Sequence, residues 1–125
     1  MRRVLLVSAD DMLASAYGAR LRHVGYELDC GRNWPQGMAK ARQTRPDLIL
    51  LDLLLPGMHG LDVLKWLRDV PWLVQVPVVL LVECTVPDEV VRECRFWGAA
   101  ACLAKDRCSL DELMQEICAL LRSQE

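Results

Sequence analysis

Pro46-Asp47-Leu48-Ile49-Leu50-Leu51-Asp52-Leu53-Leu54-Leu55-Pro56-Gly57-Met58-His59-Gly60-Leu61 is the stretch of this 125-residue chain that decides its fold. Leu48 to Leu51 are four aliphatic residues in a row, the pattern of a strand buried on both faces. Asp52 ends the run and Leu53-Leu54-Leu55 follow, so little in the local sequence repays desolvating a charge there. Leu53 to Gly60 reads as a loop with Pro56-Gly57 as its turn signal. Leu61, Leu64 and Leu67 then return at helical spacing. The unit is a buried strand, an acidic strand end, a loop and a helix.

The same unit repeats in both directions. Val4 to Val7 is another aliphatic strand. Asp10 or Asp11 can cap a following helix, in which Leu13, Ala16, Tyr17, Leu21 and Val24 recur at helical spacing and Gly25 is the stop. Tyr26 to Cys30 alternates like an edge strand. Asn33 can cap a second helix with Trp34-Pro35 in its first turn and Met38 and Ala41 facing inward, closed by Pro46. Beyond the central unit, Pro71 and Pro77 bracket a connection to a strand at Val78 to Val82. Thr85 with Asp88 resembles a capping box for a helix ending at Gly98. A small-residue strand, Ala100 to Ala104, ends on Lys105. Ser109-Leu110-Asp111-Glu112 is a clear capping box, opening a last helix with Leu110, Leu113, Met114, Ile117, Leu120 and Leu121 on one face.

Strand and helix thus alternate five times, which predicts an α/β, doubly wound, five-stranded parallel sheet with helices on both faces. The whole chain, 1–125, reads as a single domain, without repeat or linker, and no output domain is expected after the last helix. A chain this long buries roughly two-thirds of the surface its unfolded form exposes. Hydrophobic residues are 53% and charged residues 26%, which excludes a disordered chain. A net charge of −2 gives no footprint for nucleic acid. No apolar run approaches the roughly 18 residues of a membrane span. The N-terminal run is too short for a signal peptide and is interrupted by Asp10-Asp11, so a cytoplasmic protein is expected. Cys30, Cys84, Cys94, Cys102, Cys108 and Cys118 form no C-x-x-C pair, and His23 and His59 stand alone; reduced, mostly buried or half-buried thiols are expected.

In open parallel sheets, ligands sit beyond the carboxyl ends of the strands. The polar residues there are Ser8 with Asp10-Asp11, then Asp52, Glu83 and Lys105. A carboxylate at such a place can be a plain helix cap, and for Asp10 and Asp11 that reading weighs as much as a functional one.

These residues resemble the receiver domain of bacterial two-component response regulators, over essentially the whole chain. Receivers read P-D-L-x-L-L-D-x-x-L-P-G-x-x-G where Pro46 to Gly60 stand. Gly98-Ala99 and Ala104-Lys105 also match the family's G-A and strand-end lysine. The resemblance implies a flavodoxin-like receiver fold with strand order 2-1-3-4-5. It implies that Asp52 accepts a phosphoryl group from a histidine kinase or phosphotransfer protein. In such chemistry a carboxylate attacks phosphorus in line, a magnesium ion offsets the repulsion, a lysine pairs with a phosphoryl oxygen, and a hydroxyl on the fourth strand takes another. Lys105 is the phosphoryl-contacting lysine on this reading.

The chain departs from the family at that site. The usual acidic pair falls on Ser8 and Ala9, with Asp10 just beyond. Asp10 and Asp52 are the carboxylates left for magnesium, and the altered pair counts against that cofactor. The switch hydroxyl is replaced by Val82, with Thr85 as a displaced substitute at best; the small residue after it is Glu83; the switch aromatic is Cys102; the proline after the lysine is Asp106. The expectation is a signal-transduction receiver with weakened phosphorylation at Asp52. Its alternatives are a conventional receiver phosphorylated there, and a phosphorylation-independent interaction or dimerisation module using the last two helices and fifth strand. The charges on that face, Asp88, Glu89, Arg92, Arg107, Asp111 and Glu116, are mixed. Four tryptophans read mainly as packing, with Trp34 or Trp72 the alternative as a partner anchor. An enzyme is not expected: there is no G-x-G-x-x-G, no G-x-x-x-x-G-K-[ST] and no G-x-S-x-G, and Leu54 stands where an aspartyl phosphatase would place its second carboxylate.

Overall fold

In a computed structural model that describes residues 2–123, the chain runs β1 (Arg3–Val7), α1 (Asp11–His23), β2 (Glu27–Gly31), α2 (Trp34–Thr44), β3 (Leu48–Asp52), β4 (Leu54–Leu55), β5 (Met58–His59), α3 (Gly60–Leu67), β6 (Val78–Val82), α4 (Asp88–Phe96), β7 (Ala101–Ala104) and α5 (Leu110–Arg122). Five of these strands form one sheet in the order β2-β1-β3-β6-β7, every pair parallel. This is the expected order 2-1-3-4-5. The added pair, β4 and β5, is a two-residue antiparallel ladder inside the loop after Asp52, which sequence reading leaves as an irregular turn.

Side-chain alternation along each strand builds two cores. Leu5, Val7, Ile49, Leu51, Val78 and Leu80 point to one face, where they meet Ala41 of α2, Leu64 and Leu67 of α3 and Cys94 of α4. Val4, Leu6, Leu48, Leu50, Val79 and Leu81 point to the other, against Tyr17 and Leu21 of α1 and Leu113, Ile117 and Leu121 of α5. A sheet covered on both faces needs aliphatic residues at consecutive positions, which is why β1, β3 and β6 are unbroken hydrophobic runs. Each fully buried Leu or Val there contributes about 1.5–3 kcal/mol.

Parallel register carries the strand ends to one edge. Val7 stands beside Leu51, Asp52 beside Leu81, and Val82 beside Ala104. Ser8, Asp52, Glu83 and Lys105 follow or close these strands and therefore gather. Gly60 sets the next turn: a Cβ there would lie 2.7 Å from the Asp52 carbonyl oxygen and 2.8 Å from Leu53 Cα. Only glycine lets α3 start so close to the strand end that presents Asp52.

Several local expectations are corrected. Val24 is the C-terminal cap of α1 and 54% exposed, and Ala16 is exposed as well, so the helical spacing of α1 extends past its buried face. Thr85 caps nothing: α4 begins after Pro87 with no side-chain cap, because Pro87 already holds an extended turn entry. The second strand is shifted one residue, to Glu27–Gly31. The capping box of Ser109 and Glu112 is present in full. Trp34 is buried edge-on against Trp66, and Arg45 lies over the Trp72 ring, so neither expected anchor stands free; Trp66 is the exposed tryptophan. Cys30 and Cys84 are exposed, and the other four cysteines are buried or half-buried. Among the described residues, no helix is long and apolar enough to cross a membrane.

Candidate functional site

Asp52 closes β3 and is only 7% exposed. Burying a carboxylate is costly unless its lone pairs are taken up. Here they are: Lys105 Nζ donates to Oδ1 at 3.1 Å and to Oδ2 at 3.0 Å, and Ser8 Oγ donates to Oδ2 at 3.0 Å. Ser8 is itself buried, and its oxygen also accepts the Asp10 N–H at 3.1 Å. The first loop is thereby tied to the central strand through one hydroxyl.

Lys105 is reached from a second side by Glu83, at 3.6 Å. Burial pulls the ammonium's pKa down, but its hydrogen bond to Asp52 and the charges of Asp52, Glu83 and Asp10 outweigh it, so its pKa is raised. The lysine is a resident cation held by two carboxylates.

Asp10 has the other role that the sequence allowed. Its Oδ1 accepts the N–H groups of Met12 and Leu13, both at 3.1 Å, and so caps α1. The residue expected as a magnesium ligand is thus also the N-cap of α1, through Oδ1 alone. The Ala9 side chain offers no oxygen, Ser8 donates to Asp52 rather than presenting charge, and Glu83 faces Lys105. Among the described residues no three or more His, Cys, Asp or Glu side chains gather as metal ligands. A magnesium ion takes six oxygens, usually with one or two free carboxylates. The donor set at this edge does not fit it.

The residues expected at altered switch positions sit on the last two strands of the sheet. Val82 ends β6, nearly buried, and Cys102 is half-buried on β7. Thr85 is exposed and makes no hydrogen bond at the site. Asp106, in place of a proline, accepts the Cys84 N–H at 2.9 Å and joins the loops after β6 and β7.

Two site residues escape sequence reasoning. Ser8 is visible only as a polar strand end, and the Asp52 bond is a matter of three dimensions. Tyr17 reads as an inner-face residue of α1, which it is, at 1% exposure. Its Oη is buried and has no hydrogen-bond partner. The only sequence signal is a phenol among Leu and Ala on a helix face. Burial first, then the charges of Asp52, Cys108 and Asp10, push this phenol up to about 12.

That shift predicts an alkaline instability. Unfolded tyrosine ionises near pH 10 while the folded phenol keeps its proton to about 12, so the folded state binds more protons and stability falls across that interval. Two units correspond to about 3 kcal/mol. Urea titrations of wild type and Tyr17→Phe at pH 8 and pH 11 check it: the variant should retain more of its stability at the higher pH. Parallel losses would contradict the assignment.

Comparison with known proteins places this geometry. The family model described as the response regulator receiver domain matches residues 4–118. The chain is similar to the DNA-binding response regulator MtrA of Mycolicibacterium smegmatis, 39% identical over 90 residues, covering 72% of this chain and 38% of that protein. It is similar to the probable transcriptional regulatory protein TcrX of Mycobacterium tuberculosis, 37% identical over 123 residues, covering 95% of this chain and 49% of that one. The chain thus spans half or less of the length of these two relatives. Among solved structures it resembles the receiver domain of a signal transduction histidine kinase from Syntrophus aciditrophicus, with a TM-score of 0.85 and 30% identity over 98% of this chain and 92% of that one. Chemotaxis response regulator CheY4 of Vibrio cholerae gives a TM-score of 0.85 at 25% identity, over 96% and 98% of the two chains.

Proposed function

The chain belongs to the response regulator receiver domain family, and from that premise we propose that it is a signalling receiver in which phosphoryl transfer to Asp52 is weakened and partner recognition proceeds without it. One observation carries the reading: both Asp52 oxygens already accept hydrogen bonds from Lys105, and Oδ2 also from Ser8. An attacking carboxylate oxygen must shed those bonds before it can meet phosphorus in line. Without an acidic pair to seat a metal cation, the repulsion between Asp52 and an incoming phosphoryl group is offset by Lys105 alone, and Glu83 adds to it.

The upstream partner on this reading is a histidine kinase or phosphotransfer protein. The downstream surface is α4, β7 and α5, meeting a second copy or another protein. Nucleic acid and membrane have no role for this unit, and no enzymatic turnover is assigned to it. The conventional alternative, a receiver fully phosphorylated on Asp52, is favoured by the meeting of Asp52 with Lys105.

Asp52→Ala is expected to leave self-association and kinase binding within about threefold of wild type, because a phosphate shifts an equilibrium only through contacts that differ between two states. Val82 offers such a group no hydroxyl, and Cys102 no aromatic ring. Sedimentation and surface-binding titrations, with and without phosphoramidate, test it. A tenfold change that needs the donor and vanishes in Asp52→Ala would mean about 1.4 kcal/mol of coupling and would overturn the reading.

A further inference from the structure

Two thiols, Cys94 of α4 and Cys102 of β7, are brought together by the fold. Alternation along β7 sends Ala101 and Leu103 to the core against α1 and α5, and Cys102 and Ala104 to the core against α3 and α4. Cys94 lies in that same core with no exposed surface. The turn between the two is short and pinned. Gly98 takes a left-handed φ of 91°, the Ala99 N–H donates to the Cys94 carbonyl at 3.1 Å, and the Ala100 N–H donates to the Val78 carbonyl at 2.8 Å. β7 therefore returns against the helix that the chain has just left, and the Cys94 thiol hydrogen-bonds the Cys102 sulfur.

We propose that Cys94 and Cys102 form a reversible disulfide when the protein meets a hydroperoxide, a covalent tie between α4 and β7.

The two sulfurs differ in role. Cys102 is half-buried, so a small oxidant can reach it. Burial raises its pKa, while the charge of Arg95 and the hydrogen bonds from Cys94 and Arg95 pull the other way and favour the thiolate. The resting thiolate is scarce, so oxidation is slow. Cys94 is sealed in the core, and burial pushes its thiol up to about 11. It keeps its proton and needs no access to solvent, because the sulfur it attacks is already beside it. This is the division between a peroxide-sensing cysteine and its resolving partner.

The Cys102 thiolate attacks the O–O bond of the peroxide. One oxygen stays as Cys102–SOH, and the other leaves as hydroxide and becomes water with the thiol's proton. Cys94 then attacks the Cys102 sulfur, its proton passes to the departing hydroxyl, and a second water leaves. Two thiols and one hydrogen peroxide become one disulfide and two waters. Closing the bond draws the sulfurs from hydrogen-bond contact to about 2.05 Å, so α4 and β7 must approach. The tie forms whatever the state of Asp52.

Trypsin cuts after Arg92, Arg95 and Lys105, so the disulfide appears as peptide 93–95 joined to peptide 96–105, lighter than their sum by two hydrogens. The full chain is treated with hydrogen peroxide while folded, its remaining thiols are alkylated in urea, and it is digested. Wild type and Cys30→Ser/Cys84→Ser, which lacks the exposed thiols, should both give the joined pair in most molecules, and dithiothreitol should remove it. Cys94→Ala should stop at Cys102–SOH, trapped by dimedone. Cys102→Ala should leave Cys94 a thiol, recovered alkylated. Recovery of both thiols reduced from wild type after prolonged peroxide would overturn the proposal and make the pair ordinary core packing. So would dimedone-labelled Cys102 accumulating in wild type, since the sulfurs then fail to close, or a joined pair that forms only when oxidation is carried out in urea.

Discussion

Lys105→Met is expected to destabilise the fold by about 3 kcal/mol, the lower end for breaking a buried ion pair. The lower end applies because the Lys105 side chain is 18% exposed, whereas that of Asp52 is 9% exposed. The loss comes from Asp52, left buried with Ser8 as its one remaining donor. The double variant Asp52→Asn/Lys105→Met should recover most of it, since no charge is then stranded. Urea denaturation of wild type, the single variant and the double variant measures both steps. The pH dependence has a definite sign. Lys105 is raised in the folded state, so the pair's contribution is complete below the ordinary lysine value of 10.5 and is lost as pH rises through the higher folded value. The gap between wild type and Lys105→Met should therefore be constant from neutral pH to about 10 and close above it. A gap that closes on acidification from pH 8 to 6 would assign the stabilisation to another group.

Ser8→Asp/Ala9→Asp is expected to have the second largest effect, and in the opposite sense for metal and for apo stability. Two new carboxylates beside Asp52 replace a hydrogen-bond donor and a methyl group with like charges. Without divalent cation the double variant should be less stable than wild type by about 2 kcal/mol, from the lost Ser8 donor and the added repulsion. With magnesium the order reverses. The new donor set meets the cation's need for charged oxygens, and a ligand at 100 times its Kd stabilises by about 2.7 kcal/mol. Thermal melts with and without millimolar magnesium separate the two terms. Wild type should shift little and the variant by several degrees. A wild-type shift as large as the variant's would show that the native edge already seats the metal.

The fold was legible because its signals are one-dimensional. Unbroken aliphatic runs at Val4 to Val7, Leu48 to Leu51 and Val78 to Val82 can only be strands covered on both faces, and parallel connections between them leave one main arrangement. Ser109 and Glu112 announced α5 by local chemistry alone. Thr85 failed by the same criterion, because a capping pattern in sequence competes with Pro87 two residues on, which starts the helix by its own backbone. The β4–β5 ladder was hidden because two-residue strands carry no period.

The site was half legible. Asp52 and Lys105 stood out as charges ending apolar strands, and register brought them together. Asp10 was ambiguous in sequence because a carboxylate after a strand serves equally as ligand or cap; the cap is seen only in the hydrogen bonds to Met12 and Leu13. Ser8 and Tyr17 were missed for one reason. Their meaning depends on what lies across the sheet edge, and a hydroxyl on its own gives no spacing to read.

The most direct test of the pre-paired Asp52 is covalent. Wild-type protein is incubated with phosphoramidate and magnesium, and its intact mass is followed beside Asp52→Ala and Ser8→Asp/Ala9→Asp. The account predicts no phosphoryl adduct on wild type under conditions in which the double variant, with its metal ligands restored, acquires one. A magnesium-dependent adduct on most wild-type molecules, absent from Asp52→Ala, would contradict it and make Asp52 an ordinary phosphoryl acceptor.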